Sequence, residues 1–248
     1  MLKISIVVPA WNEEHRIGST LRDILQFLMQ KGYAGQESEI LVVDDGSTDR
    51  TRAVVDALHD PRIQILGDGK NHGKGWAVRT GIAEAKGEWI LVMDADSSTR
   101  ISEVLKLLKH QREADAIIGS RALAESRILE SQSQWKVMLG RFGNRLIQLL
   151  LLPGIKDTQC GFKLYSSAIR PILTKLTIDG WGSDFELLFV AKKHGLRIRE
   201  VPVQWKNDTR SKVRPSGYLK TFRDLLRVRL NDARGIYSEH HGKKESSF

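Results

Sequence analysis

Up to Ser120 the chain alternates short apolar runs with stretches in which apolar residues recur at every third or fourth position. An apolar run of about four to eight residues between polar turns reads as a buried strand, and the longer period reads as a helix. The runs predict strands over Lys3–Val8, Glu39–Val43, Arg62–Leu66, Trp89–Met93 and Ala116–Gly119. Ile17, Leu21, Ile24, Leu25 and Leu28 carry helical spacing, as do Val54, Val55 and Leu58, and a further helix is expected from Trp76 to Ala85. Strands alternating with helices predict an α/β protein, a mostly parallel sheet flanked by helices. After Arg121 the alternation stops. Gln134–Leu152 reads as a helix with Trp135, Met138, Leu139, Phe142, Leu146, Leu149 and Leu150 apolar and Lys136, Arg141 and Arg145 basic. Such a helix lies either in a lipid headgroup layer or in the core with its basic residues exposed. A helix over Asp184–His194 ended by Gly195, a strand over Arg197–Trp205 and a basic helix over Tyr218–Leu230 follow. One domain over 1–237 is expected, with a disordered tail over 238–248.

With 248 residues and 41% apolar content, the chain is long enough for a sizeable core. No uninterrupted apolar run reaches the roughly eighteen residues of a spanning helix, and the sequence enters directly on its first strand without a signal-peptide pattern, so a cytoplasmic protein is expected. Its one cysteine, Cys160, excludes an internal disulfide and a multi-cysteine zinc site, and reads as a small buried residue. The net charge of +9 is concentrated late: Arg197–Phe248 holds thirteen Lys and Arg against six Asp and Glu. Such a patch either attracts a polyanion, nucleic acid or an anionic membrane, or is simply a solvated helix face.

In open α/β sheets, ligands bind beyond the carboxyl ends of the strands, and unusual polar clusters fall there. Asp94-Ala95-Asp96 follows the fourth strand. Residues two apart on an extended segment point the same way, so the two carboxylates can converge on one cation. Hard oxygen ligands suit Mg²⁺ or Mn²⁺ held together with substrate phosphates. Taken alone, the same three letters also describe a plain loop or cap. Pro9-Ala10-Trp11-Asn12-Glu13-Glu14 closes the first strand and offers Trp11 for stacking on a base. In Asp44-Asp45-Gly46-Ser47-Thr48-Asp49, Gly46 permits a turn and Ser47 or Thr48 can cap the next helix. Asn71-His72-Gly73-Lys74-Gly75 places a glycine-flanked lysine at a helix start, suited to a phosphate or a sugar hydroxyl. Neither the phosphate-binding loop nor the dinucleotide fingerprint is present: Gly75 stands where Ser or Thr should follow Lys74, and no Gly-x-Gly-x-x-Gly follows the first strand.

In order, Val8-Pro-Ala-Trp-Asn-Glu-Glu14, Val43-Asp-Asp-Gly-Ser47, Asn71 with Gly73-Lys-Gly75, Asp94-Ala-Asp96 and Gly119-Ser-Arg121 resemble a family-2 glycosyltransferase of the GT-A (Rossmann-like) fold over nearly the whole chain. Asp157-Thr-Gln-Cys-Gly-Phe-Lys163, Trp181-x-x-Asp184-x-Glu-Leu-Leu188, Glu200-Val-Pro-Val-x-Trp205 and Ser211-Lys-Val213 are similar to motifs of dolichyl-phosphate β-glucosyltransferases, relatives of the mannose synthases. The resemblance implies a nucleotide-binding half over about 1–121 and an acceptor half over about 122–237. It implies that Pro9, Ala10, Trp11, Glu13 and Asp45 contact the nucleoside, with Asn71, Lys74, Asp94 and Ala95 completing the nucleotide-sugar site. Asp94 and Asp96 hold the metal, Mg²⁺ or Mn²⁺, and the diphosphate. Arg121, Lys136, Ser211 and Lys212 receive the acceptor phosphate, and Asp157 closes the site. The implied reaction is inverting transfer of a hexose, glucose from UDP-glucose, to a polyprenyl phosphate, by an enzyme peripheral on the cytoplasmic face of a membrane. Mannose from a GDP donor stays open, as does oligomeric state. Two departures stand out: the eukaryotic glucosyl enzymes usually begin with a spanning helix, and Trp11 replaces a frequent Tyr.

The acceptor chemistry separates two transferase readings. A phosphate monoester has a second pKa near 6, so the attacking oxygen is already anionic and needs no strong base. A saccharide or protein hydroxyl needs one, and Asp184 or Glu186 would supply it. A non-enzymatic binder using the basic C-terminus on nucleic acid is the third reading, but no nucleic-acid module is present, so nucleic acid is not expected as a partner.

Overall fold

The computed structural model describes residues 4–31, 38–130, 134–207 and 215–238. Among the described residues nine strands are seen: β1 (Ile4–Ala10), β2 (Ser38–Asp44), β3 (Ile63–Leu66), β4 (Trp89–Met93), β5 (Ala116–Ser120), β6 (Arg127–Glu130), β7 (Phe162–Ser166), β8 (Ile198–Pro202) and β9 (Gln204–Lys206). The helices are α1 (Ile17–Gln30), α2 (Thr51–Asp56), α3 (Lys74–Glu84), α4 (Val104–Leu108), α5 (Gln134–Leu150), α6 (Ser183–Lys193) and α7 (Pro215–Ala233). Seven strands form one sheet in the order β3-β2-β1-β4-β7-β5-β8, and β6 and β9 make a separate two-stranded ribbon.

Alternate residues of each strand face opposite layers. Val7, Val43, Ile90 and Ile118 pack with Phe185 and Leu188 of α6 on one side, while Ile6, Val8 and Leu91 pack with Ile17, Leu21 and Ile24 of α1 on the other. Both faces are thus covered, as the continuous apolar runs of β1, β2 and β4 require.

The sheet is parallel except at β7, which lies antiparallel between β4 and β5. The apolar-run reading did not anticipate this strand, because Lys163 interrupts it. β7 brings the chain back between two parallel strands, so Gly161 and Phe162 meet the tip of β4. Two expected elements are corrected. Arg197–Trp205 is not one strand: Pro202, which has no N–H to extend a ladder, ends β8, and the chain passes to β9 in the other sheet. Nor does Pro9 close β1. It lies within the strand, where the pairing of β1 with β4 has already stopped at Val7.

Candidate active site

Asp94 and Asp96 sit just past β4, in a turn in which Ser97 has a φ of 53°. A turn, rather than strand alternation, therefore brings them together. The Asp94 amide donates to the carbonyl of Gly161 at 3.1 Å. A Cβ at position 161 would stand 1.8 Å from Asp94 Oδ2, so only glycine there lets this carboxylate lie against the backbone entering β7. Asp96 Oδ1 accepts the Ser98 amide at 2.9 Å. Burial, and then the neighbouring Asp94 charge, raise the Asp96 carboxyl above its ordinary pKa. Two close carboxylates without full compensation suit a divalent cation. Among the described residues no group of three or more His, Cys, Asp or Glu is placed to hold a metal. A pair of carboxylates matches Mg²⁺ or Mn²⁺ sharing its remaining positions with phosphates and water, and the residues fit that group.

Lys74, the first residue of α3, points at this pair. Its Nζ is 2.8 Å from Asp94 Oδ1, 3.9 Å from Asp184 Oδ2 and 5.3 Å from the centre of the Trp181 ring. Burial works against the ammonium, but Asp94 and Asp184 outweigh it and hold its pKa well above the ordinary lysine value. The flanking glycines are there for close approach: a Cβ on Gly73 would meet the Asp179 carbonyl at 2.4 Å, and one on Gly75 would meet the Ser183 side chain at 2.5 Å. They let residues 178–183 close over α3 and carry Trp181 and Asp184 to Lys74. Asp184, in the first turn of α6, also pairs with Lys163 of β7.

Of the residues expected to contact the nucleotide sugar, Pro9, Ala10, Trp11, Glu13, Asp45 and Asn71 gather at the ends of β1 and β2. Trp11 is exposed. The Asp45 carboxylate accepts the amides of His72 (2.7 Å) and Gly73 (2.9 Å), and Asn71 Nδ2 donates to the Asp45 carbonyl at 3.1 Å. Asp45 therefore holds the loop that presents Lys74. Glu13 is engaged by Arg16 through two nitrogens, at 2.5 and 2.6 Å. The Ala95 carbonyl accepts Thr20 Oγ1 at 2.7 Å. The expected cap is corrected: α2 has no cap from Ser47 or Thr48. Ser47 Oγ instead accepts the Asn12 amide, while Asp49 accepts the amide of Thr51, the first residue of α2, and Glu14 that of Arg50 just before it.

Arg121, expected to receive the acceptor phosphate, follows β5 and donates to the Asp157 carboxylate from its Nε (2.7 Å), Nη2 (2.9 Å) and main-chain amide (2.9 Å). Burial alone would raise the Asp157 carboxyl, yet the guanidinium overrides it and holds the pKa below the usual carboxylate range. Glu200 of β8 accepts the amides of Lys156 and Asp157 and so fixes that loop. The guanidinium lies 5.5 Å from the Trp205 ring centre and also feels the charge of Asp94, so the two sides form one electrostatic cluster. Ser211 and Lys212 lie outside the described residues. Lys136 falls on α5 with its side chain outside the described residues, and the tail from residue 239 lies outside them too.

Both candidate bases are engaged by neighbouring groups. Asp184 would be raised by burial, but Lys163 and Lys74 hold it below the ordinary range. Glu186, fully buried, accepts from the Thr177 amide and hydroxyl, the Ile178 amide and the Tyr237 hydroxyl at 2.7–2.9 Å. It ties the turn that follows α7 to the loop before α6. Gly161, Lys163, Trp181, Glu200 and Trp205 belong to the motifs above, and the sequence alone assigns them no role. One signal was readable: a lysine inside Phe162-Lys163-Leu164-Tyr165 is a charge at a buried strand position.

Residues 5–170 match the family described as Glycosyl transferase family 2. The chain is 37% identical over 237 residues to a dolichyl-phosphate β-glucosyltransferase of Trichomonas vaginalis, covering 91% of this chain and 72% of that protein. It is 33% identical over 257 residues to the dolichyl-phosphate β-glucosyltransferase of Homo sapiens, covering 98% and 79%. Mannosyl-3-phosphoglycerate synthase from Rubrobacter xylanophilus superposes with a TM-score of 0.70 at 17% identity, covering 100% of this chain and 79% of that one. Glucosyl-3-phosphoglycerate synthase from Mycobacterium tuberculosis, crystallised with Mn²⁺, UDP-glucose and glycerol 3-phosphate, does so with a TM-score of 0.67 at 19% identity, covering 92% and 80%. The sheet and its flanking helices are those of the GT-A fold. The chain is a glycosyltransferase and belongs to glycosyl transferase family 2, in the group of the dolichyl-phosphate β-glucosyltransferases.

Proposed function

We propose that the protein transfers glucose from UDP-glucose to a polyprenyl phosphate of the dolichyl type, inverting the anomeric centre. The names of the relatives supply the sugar and the lipid. The observation that carries the reading for this chain is the state of its carboxylates. Apart from Asp96, the acidic side chains around the tip of β4 are engaged: Asp94 by Lys74, Asp157 by Arg121, Asp184 by two lysines and Glu186 by four hydrogen bonds. A hydroxyl acceptor would find no base there, whereas a phosphate needs none.

In the reaction, a phosphate oxygen forms a bond to the anomeric carbon while the bond from that carbon to the diphosphate breaks, and its electron pair leaves with UDP. Mg²⁺ or Mn²⁺ on Asp94 and Asp96 would act as Lewis acid and neutralise charge on the diphosphate. Arg121 presents to the acceptor phosphate a guanidinium whose orientation Asp157 fixes through two nitrogens, which spares the ordering cost of a free arginine. Asp157 thus orients and does not deprotonate. Pro9, Ala10, Trp11, Glu13 and Asp45 line the nucleoside end, with Asn71 and Ala95 beside the diphosphate. Lys136, Ser211 and Lys212 complete the acceptor side.

The lipid reaches the site from a membrane surface. No helix among the described residues is long and apolar enough to cross a membrane. α5 and α7 pack together and expose Met138, Phe142, Leu149, Leu219, Phe222, Leu226 and Leu230 beside Lys220, Arg223 and Arg227. Apolar and basic residues mixed in this way suit an anionic headgroup layer, and the cytoplasmic face is the one that supplies it.

The test is incubation with radiolabelled UDP-glucose, Mn²⁺ and dolichyl phosphate, followed by solvent partition. Label in the organic phase that depends on both metal and lipid is expected. Label confined to water-soluble saccharide or protein would overturn the acceptor, and organic label from GDP-mannose but not UDP-glucose would overturn the donor.

A further inference from the structure

Four side chains at the tip of β4 alternate in sign: Lys163, Asp184, Lys74 and Asp94. Lys163 enters from β7, in register with Val92 of β4, and is 2% exposed. A buried ammonium requires a fixed counter-ion, and among the described residues its ion-pair partner is Asp184. Asp184 is therefore held twice over, by Lys163 and by its place in the first turn of α6, where a helix N-terminus favours an anion. Its other oxygen, Oδ2, faces Lys74. Lys74 thus stands between two anions of unequal commitment. Asp184 belongs to the protein's own ion pairs, while Asp94 is a ligand that a divalent cation would claim. Trp181 closes a third side of the ammonium.

We propose that Asp184, clamped by Lys163, is the positioning residue for Lys74: it retains the ammonium at the β4 tip when a divalent cation takes Asp94, and turns it onto the diphosphate of the donor. Lys74 is the resident counter-ion of Asp94 before the donor arrives and a phosphate ligand afterwards. The quartet is neutral and Asp96 beside it adds a single negative charge, so a divalent cation alone leaves excess positive charge, whereas a cation arriving with a diphosphate does not. The inference rests on the metal and donor site proposed above, and its consequence is an order: metal binds weakly alone and tightly with the nucleotide.

The experiment measures Mn²⁺ binding from the EPR signal of the free ion, with and without UDP, on the full chain and on Lys74→Met, Asp184→Asn and Asp184→Glu. Without UDP, Lys74→Met is expected to bind Mn²⁺ about tenfold more tightly than the unaltered protein, because no ammonium competes for Asp94. Asp184→Asn is expected to raise the sugar-nucleotide KM about tenfold with the lipid-phosphate KM unchanged, and Asp184→Glu to restore most of it. Unchanged or weaker Mn²⁺ binding by Lys74→Met would overturn the proposal. So would an unchanged nucleotide KM in a folded Asp184→Asn. If that variant does not fold, the Lys74→Met measurement decides alone. Absence of Mn²⁺ binding from every protein, even with UDP, would overturn the metal site as well, which separates the two failures.

Discussion

Asp96 and Asp157 are the same residue type a few side chains apart in one cluster, and their surroundings drive them in opposite directions. Burial raises both. At Asp96 the next influence is another carboxylate, Asp94, and the pKa stays high. At Asp157 it is a guanidinium held by two hydrogen bonds, and the pKa falls below the ordinary range. One region is short of positive charge and can take a cation. The other is already balanced and can only orient. The two ends assigned above to donor and acceptor thus differ in charge balance, before any ligand is considered.

The sharpest way to break this contrast is Asp96→Ala. Turnover in the organic-phase assay is expected to fall by about a thousandfold, the scale of several kcal/mol of charge stabilisation. Thermal melting should be unchanged, because the carboxylate removed was under-compensated. A normal metal-dependent rate would end the metal assignment. Asp157→Asn should behave in the opposite sense, costing about 3–5 kcal/mol of stability as Arg121 loses its buried partner. The pH dependence carries the sign: a carboxyl whose folded pKa is depressed stabilises fully above its unfolded pKa of about 3.9 and loses that contribution as pH falls through the folded value. The stability difference between the unaltered protein and Asp157→Asn, followed by denaturant titration, should therefore be constant near neutrality and shrink in acid.

Gly161→Ala tests the contact between the regions. The added methyl must displace Asp94, and Mn²⁺ binding in the presence of UDP is expected to weaken about tenfold, read by the same EPR titration. The smallest effect concerns Cys160, which lies between the two regions with its thiol pushed up to about 11 by burial and by Asp157. It should resist alkylation at about pH 8 in the native protein and react once denatured, as mass spectrometry would register.

Much of the first half was legible along the chain. β4 runs over Trp89–Met93 as the apolar run predicts, and the polar clusters do fall at strand ends. Gly195 ends α6 with a φ of +77°, as its place after the helical period suggests. The second half was read less well. β7 hid because its one charged residue breaks the apolar pattern, and β8 and β9 merged because Pro202 alone marks the change of sheet. Asp184 and Glu186 looked like equivalent candidate bases. Nothing local shows that one faces Lys163, twenty-one positions earlier, or that the other receives the Tyr237 hydroxyl, fifty-one positions later.

The sequence by itself determined the α/β alternation, the carboxylate pair beyond β4 and the basic bias of the C-terminal part, because each is written in neighbouring residues whose period or charge acts locally. Only the tertiary structure decided which carboxylates remain available. That depends on the antiparallel insertion of β7, which sets Gly161 under Asp94 and Lys163 against Asp184. Electrostatic compensation falls with distance in space, and no spacing along the chain records it.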